Sequence, residues 1–166
     1  MNYAKIKTNC TSNGIGIRVA LFVSGCPFHC KNCQNQELWN PNYGKEFTDE
    51  VKNKMFKELE KSYYDGLTIL GGEALAEYNV EEVTLLAKEF KERFGDKKDL
   101  WLYTGNVLKD IKDYEILKYI DVLVDGLFVE ELYSPLLKFR GSSNQVIYDI
   151  QETLRQGKPV KFYEED

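Results

Sequence analysis

Three of the chain's four cysteines fall within eight residues, on the stretch Gly25-Cys26-Pro27-Phe28-His29-Cys30-Lys31-Asn32-Cys33-Gln34-Asn35. This stretch follows the apolar run Val19 to Val23. A C-x3-C-x2-C spacing on one tight loop lets three thiolates converge on a single point. Four equal ligands close a tetrahedral zinc site, whereas three leave one coordination position free. An iron–sulfur cluster held by three thiolates likewise leaves one iron open to a substrate or cofactor. Neither ferredoxin spacing, C-x2-C-x2-C-x3-C nor C-x4-C-x2-C, matches Cys26, Cys30 and Cys33. A structural metal site with Cys10 or His29 as fourth ligand is the plain alternative. His29 adjoins Cys30, which makes good geometry at one metal hard for both, while Cys10, sixteen residues before Cys26, remains available.

At 166 residues the chain has the length of one domain with enough material for a core. Its formal charge is −5 and no block of Lys and Arg stands out, which argues against binding a nucleic-acid backbone. No apolar run approaches the roughly 20 residues that span a bilayer, so no membrane association is expected. Met1 to Lys7 lacks the hydrophobic stretch of a signal peptide. The expected setting is cytoplasmic, where thiols stay reduced and clustered cysteines bind metal more often than they pair.

Residues 1–16 read as a polar, turn-rich lead-in. Ile17 to Val23 predicts a buried strand, and Leu67 to Leu70, Leu100 to Tyr103 and Val122 to Val124 predict three more. Asp49 to Tyr63 predicts a helix, with Val51, Met55, Leu59 and Tyr63 on one face and Thr48 as its cap. A second helix starts at Asn79 with Glu82 completing a capping box, carries Val83, Leu86, Ala87, Phe90 and Phe94 as its buried stripe, and stops at Gly95. A shorter helical stretch follows over Val107 to Ile120. Val146 to Ile150 and Val160 to Tyr163 are further strand candidates. Strands alternating with helices imply an α/β fold with a parallel sheet and right-handed crossovers. A complete eight-unit barrel takes about 250 residues, so this length predicts an open, partial βα barrel of about five to six units.

Each predicted strand ends in Gly or polar residues: Ser24-Gly25-Cys26, Gly71-Gly72-Glu73, Tyr103-Thr104-Gly105 and Val124-Asp125-Gly126. Ligands of parallel α/β folds bind at these carboxyl ends, so the cysteine loop is expected to face them. The two glycines permit φ > 0 and close approach of backbone to a ligand, and the Glu73 carboxylate suits an ammonium group. Thr104 and Asp125, at the next two strand ends, join the expected cofactor site.

C-x3-C-x2-C after a first strand resembles the signature of the radical S-adenosylmethionine (SAM) enzymes. That resemblance implies a [4Fe–4S] cluster on Cys26, Cys30 and Cys33, with SAM on the open iron. Gly71-Gly72-Glu73 resembles the family's GGE-P motif, which binds the SAM amino group; Ala74 stands at the proline position. Asn32 occupies the place where many members carry an aromatic near adenine, and Asn32, Cys33 and Gln34 are expected to contact SAM. Leu100 to Gly105, Asp121 to Gly126 and Phe139-Arg140-Gly141-Ser142-Ser143-Asn144-Gln145 are similar to the activating proteins of the anaerobic ribonucleoside-triphosphate reductase, although Val146 replaces the arginine that often follows. From the residues alone, Arg140 to Asn144 can bind an anion or a partner's backbone, or can simply close the sheet edge.

The resemblance implies a reaction in which a flavodoxin-like donor reduces the cluster, SAM is split to methionine and a 5′-deoxyadenosyl radical, and that radical takes a hydrogen atom from a glycine of the large reductase subunit. An open half-barrel has little wall to enclose a small molecule, which suits a macromolecular substrate. The alternatives are a radical SAM enzyme with another target and a structural metal protein closed by Cys10.

Overall fold

The computed structural model of the chain describes residues 1–33 and 35–162. Its strands are β1 (Asn2–Cys10), β2 (Arg18–Val23), β3 (Lys45–Glu46), β4 (Gly66–Gly71), β5 (Asp99–Tyr103), β6 (Val122–Asp125) and β7 (Val146–Asp149). They form one seven-stranded sheet in the order β3-β1-β2-β4-β5-β6-β7. The helices are α1 (Asp49–Leu59), α2 (Val80–Phe94), α3 (Leu108–Ile111) and α4 (Ile150–Gln156).

β2, β4, β5 and β6 are mutually parallel, and these are the four predicted apolar runs. Every residue of β2 is buried, as both faces of the sheet are covered there. Val19, Leu21, Val23, Leu67, Ile69, Leu100, Leu102 and Leu123 point to one face and pack in the main core with the buried stripes of α1 and α2. Their alternates, Ala20, Phe22, Leu70, Trp101, Val122 and Val124, point to the other face, under Cys10, Leu38 and Ile147. α2 carries its expected stripe. α1 instead stops at Leu59, leaving the expected Tyr63 beyond it and 46% exposed. The expected helical stretch over Val107 to Ile120 breaks into α3 and a 3₁₀ turn, Glu115–Lys118. Thr48 caps α1, its hydroxyl accepting from Val51 N at 3.2 Å.

Several expectations are corrected. The polar lead-in is a strand: β1 pairs antiparallel with β2, which its seven-residue connection allows, and β3 pairs antiparallel with β1. Val146 to Asp149 is a strand but runs antiparallel to β6. A parallel partner needs a crossover, usually helical, and residues 126–145 hold only a 3₁₀ turn, Glu130–Leu132. The expected five or six βα units therefore reduce to four parallel strands flanked by antiparallel ones, in a sheet that does not close. The last expected strand is only a bridge between Tyr148 and Lys161, and Tyr163 lies outside the described residues. No helix among the described residues is long and apolar enough to cross a membrane.

At the amino ends of the parallel strands, Arg18 is fully buried. Its Nε donates to Thr68 Oγ1 at 2.7 Å and its Nη2 to Leu67 O at 3.0 Å. Nη1 pairs with Asp99 Oδ1 at 2.7 Å, and the guanidinium lies 5.4 Å from the Trp101 ring centroid. That network closes one end of the strands, and the cysteine loop occupies the other.

Candidate functional site

Two strand-end loops are stitched together by backbone. Gly72 N donates to Val23 O at 2.9 Å, Glu73 N to Gly25 O at 2.7 Å, and Gly25 N to Leu38 O at 2.6 Å. This contact requires the glycine pair. Gly71 has φ +114°, and a Cβ there would lie 2.7 Å from Val23 N and O; a Cβ on Gly72 would lie 2.4 Å from Gly25 O. Asn79, expected to cap α2 in a capping box, makes no side-chain cap bond. Its buried amide instead donates to Ser24 O at 2.9 Å and Glu73 O at 3.1 Å, clamping the same two loops.

Where these loops meet is a cavity of about 240 Å³ lined by Cys26, Cys30 and Cys33, by Gly71, Gly72 and Glu73, and by Thr104. Tertiary structure thus brings together seven of the residues expected to form the site. Glu73 is 2% exposed, and its carboxylate accepts from Leu75 N at 2.9 Å, Thr104 Oγ1 at 2.7 Å and Gly105 N at 2.7 Å. Burial raises its pKa above the usual carboxylate range, and the three donors pull it back.

The three thiols are half-buried and reduced. Burial raises the pKa of Cys26 and Cys30, and the neighbouring thiolates and Glu73 raise it further. These raised values favour the neutral thiols, and a bound cationic centre would draw out the thiolates. Among the described residues no three His, Cys, Asp or Glu side chains group closely enough to hold a single metal ion. Three cysteine thiols lining one cavity are the kind of donor that iron–sulfur clusters take, each on a different iron. The donor set therefore fits a [4Fe–4S] group.

Neither candidate fourth ligand is at hand. Cys10 is buried beside Asn13, 3.4 Å from its Oδ1, and pairs with Arg18 at the far end of β2, about 16 Å of extended chain from the loop. The exposed His29 stacks on Trp39, centroids 4.3 Å apart.

Other expected site residues lie elsewhere. Asn32 is exposed, with φ +55°, and its amide donates to Glu130 Oε1 at 2.5 Å instead of facing the cavity. Gln34 lies outside the described residues. Asp125 is buried but turned away: it accepts from Leu108 N at 2.7 Å and Val146 N at 3.3 Å, fixing α3 and β7, and lines a neighbouring cavity. Residues 139–145 are a loop bonded onto the turn after β6. Gln145 accepts from Gly141 N at 2.8 Å and donates to Gly126 O at 3.0 Å, and Asn144 donates to Leu127 O at 2.8 Å. Of the two readings of that loop, these bonds favour closure of the sheet edge.

Phe28, Phe128 and Gln145 also line the cavity and were not anticipated. Phe28 sits inside the cysteine loop, so its position alone was a signal. Phe128 and Gln145 reach the cavity only through the path of residues 126–145, which no local pattern encodes.

Three thiols around one cavity at glycine-rich strand ends define the class of single-cluster iron–sulfur domains, and a family model described as a 4Fe-4S single cluster domain matches residues 12–148. The chain belongs to the family of anaerobic ribonucleoside-triphosphate reductase-activating proteins. It is 43% identical over 148 residues to the activating protein of Enterobacteria phage T4, covering 89% of this chain and 94% of the phage protein. Against that of Vibrio cholerae it is 40% identical over 152 residues, 89% and 97% of the two chains. Against that of Escherichia coli K12 it is 34% identical over 155 residues, 91% and 100%.

Proposed function

We propose that the chain, as a single domain over residues 1–166, is a radical SAM activase that installs a glycyl radical on the large subunit of an anaerobic ribonucleoside-triphosphate reductase. The observation that carries this reading is the meeting of Cys26, Cys30 and Cys33 with Gly71, Gly72 and Glu73 in one cavity, in a chain whose relatives are named as activators of that reductase. The open sheet then serves as the partial barrel of a radical SAM enzyme. A cytoplasmic location and a flavodoxin-like electron donor complete the proposal.

Cys26, Cys30 and Cys33 would hold the [4Fe–4S] cluster and leave one iron for SAM. When bound, the cluster and SAM together supply the radical that removes a hydrogen atom from a glycine of the partner. The protein's own part is ligation, orientation and exclusion of water. A carboxylate offers about four acceptor positions, and Glu73 spends three on Leu75, Thr104 and Gly105. The fourth is free for an ammonium, whose charge would draw Glu73 into its ionised form. Gly71 and Gly72 let the cysteine loop close onto the loop that carries Glu73, and Thr104 holds the carboxylate in place. Cys33 and Gln34 would contact SAM. Asn32 acts through the loop's position, and Asp125 through α3 and β7.

Anaerobic reconstitution with iron and sulfide tests this. The expected product is a brown protein with about four irons per chain that cleaves SAM when reduced. Mixed with the large reductase subunit, it gives a glycyl doublet in electron paramagnetic resonance. A colourless zinc protein without SAM turnover overturns the reading, and SAM cleavage without a glycyl signal moves the target elsewhere.

A further inference from the structure

The cavity wall after β6 belongs to an arm, residues 127–145, of which Leu127, Phe128, Gly141 and Gln145 face the cavity. The arm is well tied. Tyr133 bridges to Ser142, Ser143 N donates to Leu132 O at 3.0 Å, and Val129 N donates to the buried Ser142 Oγ at 3.2 Å. Glu130 fastens it to the cysteine loop through Asn32 and, at 3.6 Å, Lys31.

Despite this order the arm holds apolar side chains in water. Leu136 is 90% exposed, Tyr133 48%, Leu132 44% and Leu127 41%. Scattered exposed leucines need no explanation, but three large apolar side chains exposed within the five residues 132–136 of an ordered arm point to an interaction site. Tyr133 joins these residues to the cavity: its ring packs edge-on against Phe128 at 6.2 Å, and Phe128 is in the cavity wall.

We propose that the arm, through Leu132, Tyr133 and Leu136, docks the glycine-bearing segment of the large reductase subunit at the mouth of the cavity. This rests on the activase reading above. Continuity with the cavity selects that occupant, since the segment to be modified must reach the thiol-lined site and the arm is its wall. A second copy of this chain seated there would cover the cavity. A membrane surface would call for a basic rim, whereas Glu130, Glu131 and Lys138 give the arm mixed charge.

Leu136→Asp places a charge on the arm at a position that touches little, and Leu85→Asp, 61% exposed on α2, is the control. Both are reconstituted and compared with wild type for SAM cleavage alone, affinity for the large subunit, glycyl radical yield and oligomeric state. Leu136→Asp is expected to cleave SAM as wild type does, to bind the large subunit about tenfold or more weakly, and to lose radical yield in proportion. Leu85→Asp should match wild type throughout. Equal affinity and yield in Leu136→Asp overturn the docking surface, as does a wild-type dimer that Leu136→Asp dissociates without changing affinity for the large subunit. A wild-type chain that cleaves SAM yet gives no glycyl signal overturns the activase reading, and the surface assignment falls with it.

Discussion

The hydroxyl of Thr104 donates a 2.7 Å hydrogen bond to the carboxylate of Glu73, across the gap between the ends of β5 and β4. With Gly105 N, 2.7 Å from the other carboxylate oxygen, it makes Glu73 a clamp between two strand ends as well as a wall of the cavity. One buried carboxylate thus couples the shape of the site to its charge.

Glu73 should make the stability of the metal-free protein depend on pH. Its folded pKa is raised, first by burial. A raised acid takes up its proton more readily folded than unfolded, so its contribution is fully present below about pH 4.3 and is lost as pH rises through the folded value. Urea unfolding from pH 4 upward should show that downward slope in wild type and not in Glu73→Gln. An identical slope in both would assign it to other groups, Asp125 first, whose pKa is also raised by burial.

The cysteines should separate into two kinds. Replacing Cys26, Cys30 or Cys33 by Ala should abolish iron binding after anaerobic reconstitution, because each lines the cavity. Cys10→Ala should retain the full iron content while lowering stability by about 1 kcal/mol, since Cys10 is 1% exposed in an apolar cluster. Iron analysis beside a thermal melt checks both. Loss of iron in Cys10→Ala would bring back the fourth-ligand alternative.

Gly72→Ala should damage the site through the backbone. The added Cβ falls 2.4 Å from Gly25 O, and backbone cannot yield as a side-chain tip can. A loss of about 1–3 kcal/mol in stability is expected, with weaker SAM binding by the cluster-loaded protein in equilibrium dialysis. Wild-type affinity in this variant would show that the two loops can part without consequence.

At the opposite strand ends, Arg18→Met should be among the more destabilising single changes. It leaves the carbonyls of Ile15 and Leu67 and the Thr68 hydroxyl without their donor. Breaking a buried pair costs about 3–5 kcal/mol, and the lower figure applies because the Asp99 side chain is 44% exposed. Chemical denaturation measures it. An unchanged midpoint would mean that water replaces the guanidinium.

Much was legible in the sequence because the signal was local. β2, β4, β5 and β6 are apolar runs buried in the sheet, and α2 carries a 3.6-residue stripe that burial confirms, while that of α1 holds at Met55 and Leu59 but fails at Tyr63, beyond the helix end. β1 was missed because it is polar and only partly buried; the alternation of Lys5, Ile6 and Lys7 was its one trace, and its stability comes from pairing with β2. The reversed direction of β7 followed from the route of residues 126–145, which no periodicity records.

The sequence by itself determined that three thiols stand together. Cys26, Cys30 and Cys33 stand so close along the chain that any fold keeps them together, and Gly71-Gly72-Glu73 carries its conformational need in its residue types. Only the tertiary structure decided which distant groups join them. It turned Asp125 away to hold α3 and β7, set Asn79 between two loops, and excluded Cys10 by the length of β2. Those outcomes depend on which strands are neighbours and in what register. Both are fixed by burial and backbone pairing across the whole sheet, over separations that local residue patterns do not span.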